Sequence, residues 1–244
     1  MRHADAQIVN VQSLLAKPPP RDGVTGQLEL KLEWREGNNT FFDVGGDGSV
    51  LLRRGHLLAL AIARGEYGNA AGGVAIARKT FEHLRARVTL DCRWRWEAFA
   101  QHEYDGFRRL SVRLVTGTGP ALQLVNQPHV AVLAGAAYML EVERLDTRPG
   151  TIDAGLGTIS SRASFYATGT EDLGASSAIV QTVYVQPRLG DPGDLRLLGE
   201  LSVTSKLSKR FALTDGFVVA YDRTPPDGIR RYDTQLKLGL LVTF

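Results

Sequence analysis

Two runs of alternating residues on either side of an Asp-Gly pair constrain the fold of this chain most strongly. Apolar and charged residues alternate over residues 94–103, and they alternate again over residues 110–114. Alternation with period two places successive side chains on opposite faces of a β-strand, and Asp105-Gly106 between two such runs is typical of a hairpin. The charged face carries both signs along its whole length. The sequence therefore predicts a β-hairpin with one apolar face and one ionised face.

The length of the turn follows from keeping these two faces separate. A two-residue loop would put Arg113 on the same face as Ala98, which mixes charged and apolar positions. A three-residue loop that ends at Phe107 places Glu103 opposite Arg109 and keeps the faces apart. We therefore expect the three-residue turn.

Composition excludes several classes of protein. The longest nearly apolar run, residues 130–140, is much shorter than the roughly 18 to 20 residues of a membrane-spanning helix. The net charge is +3, with Lys and Arg interleaved among Asp and Glu, so we expect no nucleic-acid partner. The single cysteine, Cys92, allows no intrachain disulfide, and the histidines are too scattered for a metal site. We expect no metal and no cofactor.

The first 23 residues differ from the rest of the chain. They contain Pro18-Pro19-Pro20, which stiffens the backbone and removes hydrogen-bond donors. We expect residues 1–23 to form a periplasmic leader that approaches the domain from outside. Because no apolar signal core follows Met1, either the chain is not exported or an initiator Met has replaced the signal.

Alternating segments continue over residues 24–244, with connections that differ in length. Arg54-Gly55 and residues 91–93, 126–128 and 206–209 are tight turns, whereas residues 68–73, 144–157 and 224–231 are longer. An even number of strands with short turns at one end and long loops at the other is typical of outer-membrane barrels. The sequence predicts an all-β, antiparallel up-and-down transmembrane β-barrel of about twelve strands, closed, with both termini periplasmic.

Aromatic residues near the strand ends suggest two girdles at the membrane interfaces. The alternative is that aromatic residues simply favour strands. The predicted girdle residues are Trp34, Trp94, Trp96, Tyr104, Phe211, Tyr221 and Phe244.

The charged faces should point into the barrel. An Arg or Lys that faced hydrocarbon near the midplane would cost about 2 to 4 kcal/mol, so the opposite orientation is excluded by energy. The predicted lumen-lining residues are Glu29, Lys31, Glu33, Asp43, Asp47, Arg85, Arg87, Arg95, Glu97, Gln101, Glu103, Arg109, Arg113, Glu141, Glu143, Arg162, Arg196, Glu200 and Lys237.

Several short motifs occur together in this chain. They are Glu97-Ala98-Phe99-Ala100-Gln101, Phe107-Arg108-Arg109-Leu110 with Arg113, Tyr184-Val185-Gln186-Pro187-Arg188, Pro225-Pro226-Asp227-Gly228, and a last strand that ends in Phe244. In combination, and only in combination, they resemble the salt-induced outer-membrane protein family (YdiY-like), a family classed as a domain of unknown function. The resemblance covers roughly residues 7–244. It implies an outer-membrane β-barrel in a Gram-negative cell, made with a cleaved signal peptide, and it supplies no catalytic residue.

The last strand also resembles the signal that the barrel assembly machinery recognises. We therefore expect that machinery and outer-membrane lipid as partners of a monomeric barrel.

Four functions are compatible with these patterns. The balanced lumen charges favour a narrow passive pore for small solutes or ions, or else a structural envelope barrel without transport. A lipid hydrolase would need His102 and Ser161 on the outer wall, but they lie on distant strands without a nucleophile-elbow motif, so we expect no enzyme. A soluble ligand-binding barrel would put the apolar faces inside, against the aromatic distribution.

Overall fold

The structure is a computed structural model, and it describes residues 8, 10–16, 21–36, 41–174, 176–208 and 211–242. A five-residue helix, α1 (Gln12–Ala16), precedes the strands, and a 3-10 turn occupies Ala71–Gly73. No helix in the described ranges has the length and apolar character needed to cross a membrane. The strands are β1 (Gly23–Arg35), β2 (Phe41–Arg54), β3 (Leu57–Ala70), β4 (Ala75–Thr89), β5 (Trp94–Asp105), β6 (Leu110–Asn126), β7 (Val130–Leu145), β8 (Gly157–Leu173), β9 (Ser177–Pro187), β10 (Leu195–Lys206), β11 (Phe211–Asp222) and β12 (Tyr232–Val242).

The twelve strands form one antiparallel sheet in sequence order, from β1 to β12. The prediction of an up-and-down fold with about twelve strands is confirmed. β1 and β12 stand at the two ends of this order, and no ladder joins them within the described residues.

The sheet is curled into a barrel. In a flat sheet β6 and β12 would lie roughly 29 Å apart, because neighbouring strands are spaced by about 4.8 Å. Yet Arg108, in the turn before β6, reaches Asp233 of β12 at 3.5 Å. Side chains cannot span the flat-sheet distance, so the wall must curve around an interior.

The two ends of the barrel differ in their connections. At the short-turn end, residues 55–56, 90–93 and 127–129 link successive strands, and β1 begins beside the end of β2, with Gly23 opposite Arg53. At the long-loop end, residues 146–156 and 223–231 form the longest connections. Because the number of strands is even, the start of β1 and the end of β12 both lie at the short-turn end of the barrel.

The outer and inner faces have opposite chemistry. Alternate residues along the strands are large, apolar and exposed on the outer face, among them Leu28, Leu84, Ile159, Val183 and Leu236. The intervening residues point inward, and many of them are buried charged groups. A surface of this kind is stable in hydrocarbon and not in water.

The register of the β5–β6 hairpin differs from the prediction. Glu103 lies opposite Arg113, four residues beyond Arg109, and the ladder shifts between Glu103 and Asp105. The turn spans residues 106–109, and Arg109 has a left-handed backbone conformation, with φ of 64°. The expectation of a three-residue turn is therefore wrong, although Glu103 and Arg113 still share the inner face, because a four-residue slip preserves parity.

The described part of residues 1–23 includes an amino-terminal segment, residue 8 and residues 10–16, that lies inside the barrel. Val11 is only 1% exposed, and it is buried with Leu15 in one apolar cluster with Leu58, Leu60 and Phe81 of the wall. The expectation that this leader stays outside the domain is corrected for the amino-terminal segment. Burial of the apolar side chains Val11 and Leu15 stabilises this inward position. The prolines that follow the segment lie outside the described residues.

Candidate functional site

The barrel interior is the candidate functional site, and it is filled along its length. From the short-turn end it holds a pocket, the amino-terminal segment, a layer of aromatic and charged side chains, and a central cluster of buried ions. Contacts among the loops cover the long-loop end.

The central cluster consists of Glu103, Arg113, Glu141, Arg162 and Arg196, which come from five different strands. The Glu141 carboxylate accepts from Arg113 at 2.7 Å, from Arg196 at 2.6 Å and from Arg162 at 3.2 Å. Arg196 on β10 thus reaches a carboxylate on β7 across two intervening strands. All five side chains are buried, so solvent does not reach the ion pairs at this level of the interior.

Further carboxylates complete the bonding of the cluster's arginines. Arg113 donates to Glu103 at 3.0 Å, and Arg162 donates to both oxygens of Asp194 at 2.9 Å. Arg196 also contacts Glu143 and Asp222, each at 3.2 Å. Charge-assisted and bidentate bonds of this kind are the strong ones, and they offset the desolvation of buried ions.

A second ionic group lies nearer the short-turn end and holds the amino-terminal segment. Glu97 accepts from Arg85 at 2.7 Å and from Arg87 at 2.6 Å. Arg87 also donates to the side-chain carbonyl of Gln12 in α1 at 2.6 Å. The wall therefore binds the segment through one charge-assisted hydrogen bond in addition to apolar packing.

Apolar contacts fix the other end of the segment. Ile8 is buried in a cluster that includes Tyr166, Tyr184 and Leu198, residues from three neighbouring strands. The Tyr166 ring also covers Gly135, where an added Cβ would lie 2.2 Å from a ring carbon. The two apolar clusters that hold the segment contain residues of β3, β4 and β6 to β11.

A pocket of about 270 Å³, the mouth pocket, lies between α1 and the wall at the short-turn end. Gln12 and Leu15 of α1 form one side of it. Three arginines, Arg53, Arg87 and Arg95, also line it.

A loop latch at the long-loop end joins three loops through Arg109, Asp146, Thr151, Asp153 and Asp227. The Arg109 guanidinium donates to Asp146 at 3.0 Å, to Thr151 at 2.7 Å, to Asp153, and to the Asp227 carbonyl at 3.0 Å. Arg109 is 1% exposed. The prediction that it lines the lumen from a strand is wrong, because its left-handed backbone turns the side chain into these loops.

The latch also changes the acidity of Asp153. Burial favours the neutral form of this carboxyl group, but the backbone N–H of Asp227 and the Arg109 guanidinium outweigh it and lower its pKa from the ordinary 3.8. The pKa of Arg109 is raised, since its two carboxylates outweigh burial. Both groups are therefore charged at neutral pH.

Most other predicted lumen residues face inward. Asp47 is partly exposed, and its carboxylate pairs with the Arg64 guanidinium at 2.6 Å. It therefore lies on the part of the wall near β1 and not among the buried side chains of the interior. The side chains of Glu29, Lys31 and Lys237 lie outside the described residues. The buried inward residues are Asp43, Arg85, Arg87, Glu97, Glu103, Arg113, Glu141, Arg162 and Arg196, while Glu33, Arg95, Gln101, Glu143 and Glu200 are half-buried.

Sequence reasoning missed several groups of the site. Asp194 and Asp222 accept hydrogen bonds from Arg162 and Arg196 of the central cluster. Both lie at strand ends, where the alternation of apolar and polar residues does not predict which side chains point inward. Gln12 was missed because residues 1–23 were assigned to a leader. The spacing of Val11 and Leu15, four residues apart, was the available signal for a helix with one apolar face.

The predicted girdle residues fall near the two ends of the barrel. Trp94, Trp96 and Phe211 are exposed near the short-turn end, and Trp34 is exposed near the long-loop end. Tyr104 and Tyr221 are half-buried near the long-loop end. Phe244 lies outside the described residues.

The outer wall does not assemble the hydrolase candidates. His102 bonds Glu82 on the neighbouring strand, whereas the Ser161 hydroxyl bonds the Tyr138 hydroxyl at 2.7 Å. Three strand spacings, roughly 14 Å, separate β5 from β8. His102 and Ser161 are thus too far apart for proton transfer, and the absence of enzymatic activity stays a prediction.

Comparisons with known proteins address the fold and the family. A family model described as "Protein of unknown function, DUF481" matches residues 29–244. The NanC porin structure has a TM-score of 0.53 at 8% identity, covering 89% of this chain and 100% of that chain. The translocator domain of the autotransporter NalP from Neisseria meningitidis has a TM-score of 0.41 at 13% identity, covering 91% and 87%. No curated protein matches the sequence. At such low identity the porin likeness shows a shared barrel fold alone.

Proposed function

The chain belongs to DUF481, a family of unknown function, and we propose that it is an outer-membrane β-barrel with a narrow passive path for small solutes or ions. The membership confirms the family resemblance drawn from the sequence motifs. In the described conformation the amino-terminal segment and the central cluster lie in the interior through which this path would run.

The distribution of charge carries the membrane assignment. Leu84 in the middle of β4 is 61% exposed on the outer face, whereas its neighbours Arg85 and His83 are buried inside. Only a surrounding hydrocarbon phase makes this arrangement favourable along the whole wall. Because closed barrels satisfy their backbone groups between strands, they are the β-structures that cross bilayers.

The proposed path rests on how the amino-terminal segment is held at the short-turn end. The amino-terminal segment is not a wall strand, and α1 is only five residues long. A few apolar side chains and the Gln12–Arg87 hydrogen bond hold it in the interior. A segment held in this way can leave the lumen without unfolding the wall.

The central cluster favours a second candidate, a structural barrel without transport. Arg113 and Glu141 are each 2% exposed, and their bonds cross-link β5, β6, β7, β8 and β10. This cluster would still narrow the lumen after the segment leaves. The two candidates therefore differ in whether ions pass once the segment has left.

Planar-bilayer recording with the natural chain and three variants separates the candidates. The double variant Val11→Lys/Leu15→Lys places two ammonium groups in an apolar cluster, one of them beside the arginines that line the mouth pocket. It expels the segment because unpaired buried charge is unfavourable. A second variant adds Arg113→Ser and Arg196→Ser to shorten the central side chains. Ile152→Lys, in an exposed loop, is the matched control.

We expect small or no current steps for the natural chain and the control. The double variant should conduct, and the added serine substitutions should increase the size of the steps. Absence of steps in all proteins, at every voltage and with the barrel folded, would remove the pore and leave the structural barrel.

The expected partners are part of the proposal. The apolar outer face fits outer-membrane lipid, and the last strand fits the assembly machinery that inserts such barrels. We also propose a monomer, since the ions of the central cluster find their partners within one chain.

A further inference from the structure

A small cavity, the inner cavity, borders both the amino-terminal segment and the central cluster. Ile8 of the segment and Arg113 of the central cluster are among the residues that line it. Its volume is about 20 Å³. One water molecule needs about 10 to 15 Å³ of such space, so the inner cavity has room for a single small ligand.

Three polar side chains that line the inner cavity each carry an unpartnered atom. His83 and Tyr184 are 3% exposed, and Gln186 is 6% exposed. The His83 Nδ1, the Tyr184 hydroxyl and the Gln186 Oε1 have no hydrogen-bond partner among the described residues. The amides of Gln101 and Gln12 are neighbours of His83 and Tyr184, but they do not meet hydrogen-bond geometry with these atoms. Because an unpartnered polar atom is unfavourable when buried, three of them around one cavity indicate a ligand that bonds them all.

The hydrogen-bonding roles of these atoms restrict the ligand. Arg85 Nε donates to His83 Nε2 at 3.4 Å, which assigns the ring proton of this histidine to Nδ1. Gln186 donates through Nε2 to the Ser164 hydroxyl at 3.0 Å, which leaves its Oε1 as an acceptor. The Tyr184 hydroxyl can donate or accept. The ligand must therefore accept one hydrogen bond and donate at least one.

The charges around the inner cavity favour a neutral ligand. Two guanidiniums line it, and both are already paired, Arg85 with Glu97 at 2.7 Å and Arg113 with Glu141 at 2.7 Å. None of the described residues that line the cavity is an Asp or a Glu, so a cation would meet positive charge without a carboxylate ligand. An anion would meet the Oε1 acceptor of Gln186. A neutral molecule that both donates and accepts fits this lining.

From volume, hydrogen-bonding roles and charge together, we propose that the inner cavity binds one ordered water molecule. The water accepts from His83 Nδ1, donates to Gln186 Oε1 and bonds the Tyr184 hydroxyl. His83 lies on β4, whereas Tyr184 and Gln186 lie on β9, five strands away in the sheet. The water thus links two distant parts of the wall next to Ile8 of the amino-terminal segment.

This site goes beyond the proposed path and does not depend on it. Its lining includes the amino-terminal segment in its bound position, through Ile8. The water can therefore be detected in a barrel that does not conduct, and failure of the pore proposal leaves this inference untouched.

X-ray footprinting of the purified full chain in detergent tests the site. Hydroxyl radicals formed from a bound water oxidise the side chains beside it within milliseconds, even where bulk solvent does not reach them. Tyr184 and Met139 are the reporters, because both line the inner cavity and Met139 is only 1% exposed. Mass spectrometry gives the oxidation rate of each residue.

Two variants separate the water site from a general effect of buried polar groups. The cavity variant, His83→Phe/Gln186→Leu, removes two of the three hydrogen-bonding groups and keeps similar side-chain sizes. The control variant, Thr168→Val/Thr182→Val, also replaces two buried polar side chains by apolar ones. These threonines bond each other at 3.1 Å, and neither lines the inner cavity. Melting curves show whether each variant is folded.

We expect Tyr184 and Met139 to be oxidised in the natural chain and in the control variant despite their burial. The cavity variant should lower both rates by about tenfold or more, because the loss of two hydrogen bonds lowers the occupancy of the water. Equal rates in the natural chain and the folded cavity variant would overturn the proposal. The same holds if neither residue is oxidised in the natural chain.

A crystal structure of the natural chain, grown with bromide in place of chloride, is a second test that needs no variant. We expect density for one water within hydrogen-bonding distance of His83 Nδ1, the Tyr184 hydroxyl and Gln186 Oε1. An anomalous bromide peak at this position would indicate a halide site, and an absence of density would indicate a dry cavity. Either result would overturn the proposal.

Discussion

Arg113 on β6 donates a hydrogen bond of 2.7 Å to Glu141 on β7, and both side chains are 2% exposed. The same guanidinium also donates to Glu103 on β5 at 3.0 Å. One buried side chain thus connects three neighbouring strands at the level of the central cluster.

Arg113→Ala should destabilise the folded barrel by about 3 to 5 kcal/mol, because it leaves the buried Glu103 without its cation. Urea unfolding in lipid vesicles measures this change in the free energy of unfolding. The double variant Arg113→Met/Glu103→Gln should regain part of the loss, since it removes both charges. A single variant as stable as the natural chain would mean that water reaches this cluster.

Leu84→Arg tests the environment of the outer wall. In a bilayer the substitution should cost about 2 to 4 kcal/mol of folding free energy, because the guanidinium would face hydrocarbon near the midplane. Ile152→Arg, at a loop residue that is 95% exposed, should change little. Equal stability of the two variants in vesicle unfolding would indicate that water and not lipid surrounds the wall.

Cys92 reports which end of the barrel faces the cell exterior. It is exposed in a turn at the short-turn end, which we expect to face the periplasm. A polymer-linked maleimide too large to cross the outer membrane should leave Cys92 unlabelled in intact cells and label it after permeabilisation.

The matched control carries Cys92→Ser and Ile152→Cys, which moves the thiol to the long-loop end. This protein should be labelled in intact cells. The opposite pattern in the two proteins would reverse the orientation, and labelling of neither after permeabilisation would argue against the outer-membrane location.

Acid should open the loop latch through Asp153. The folded-state pKa of this carboxyl is lowered, so the stability that its charge contributes is present above the ordinary value of 3.8. That contribution is lost as pH falls through the lowered value.

A spin label on Ile152→Cys, in the Cys92→Ser background, should be restrained at pH 7 and mobile well below pH 3.8. Adding Asp153→Asn should make it mobile at both pH values. Mobility that does not depend on pH in the label-only protein would show that Asp153 does not hold the loop.

Alternation predicted the fold well because every strand has one face in lipid and one in a polar interior. It placed Arg85, Glu97 and Glu141 inward, since parity needs only the local sequence. It failed at the β5–β6 turn, where Arg109 adopts a left-handed backbone to reach Asp146 and Asp153. Those partners lie far along the chain, and no local pattern reveals them.

The interior position of the amino-terminal segment was harder to anticipate. Pro18-Pro19-Pro20 indicated a segment outside the sheet, whereas the buried partners of Val11 and Leu15 belong to β3 and β4. A short helix gains its stability from such distant packing and not from its own propensity. Only the assembled wall supplies that packing.

The inward placement of the amino-terminal segment has a consequence for how the barrel is made. The amino-terminal segment, residue 8 and residues 10–16, precedes β1 along the chain, yet it lies inside the finished barrel. One possibility is that the hairpins assemble around this segment as they are inserted. The other is that the segment enters the barrel through the short-turn end after insertion. In the first order of events, substitutions at Ile8 or Val11 would slow biogenesis itself as well as loosen the mature protein.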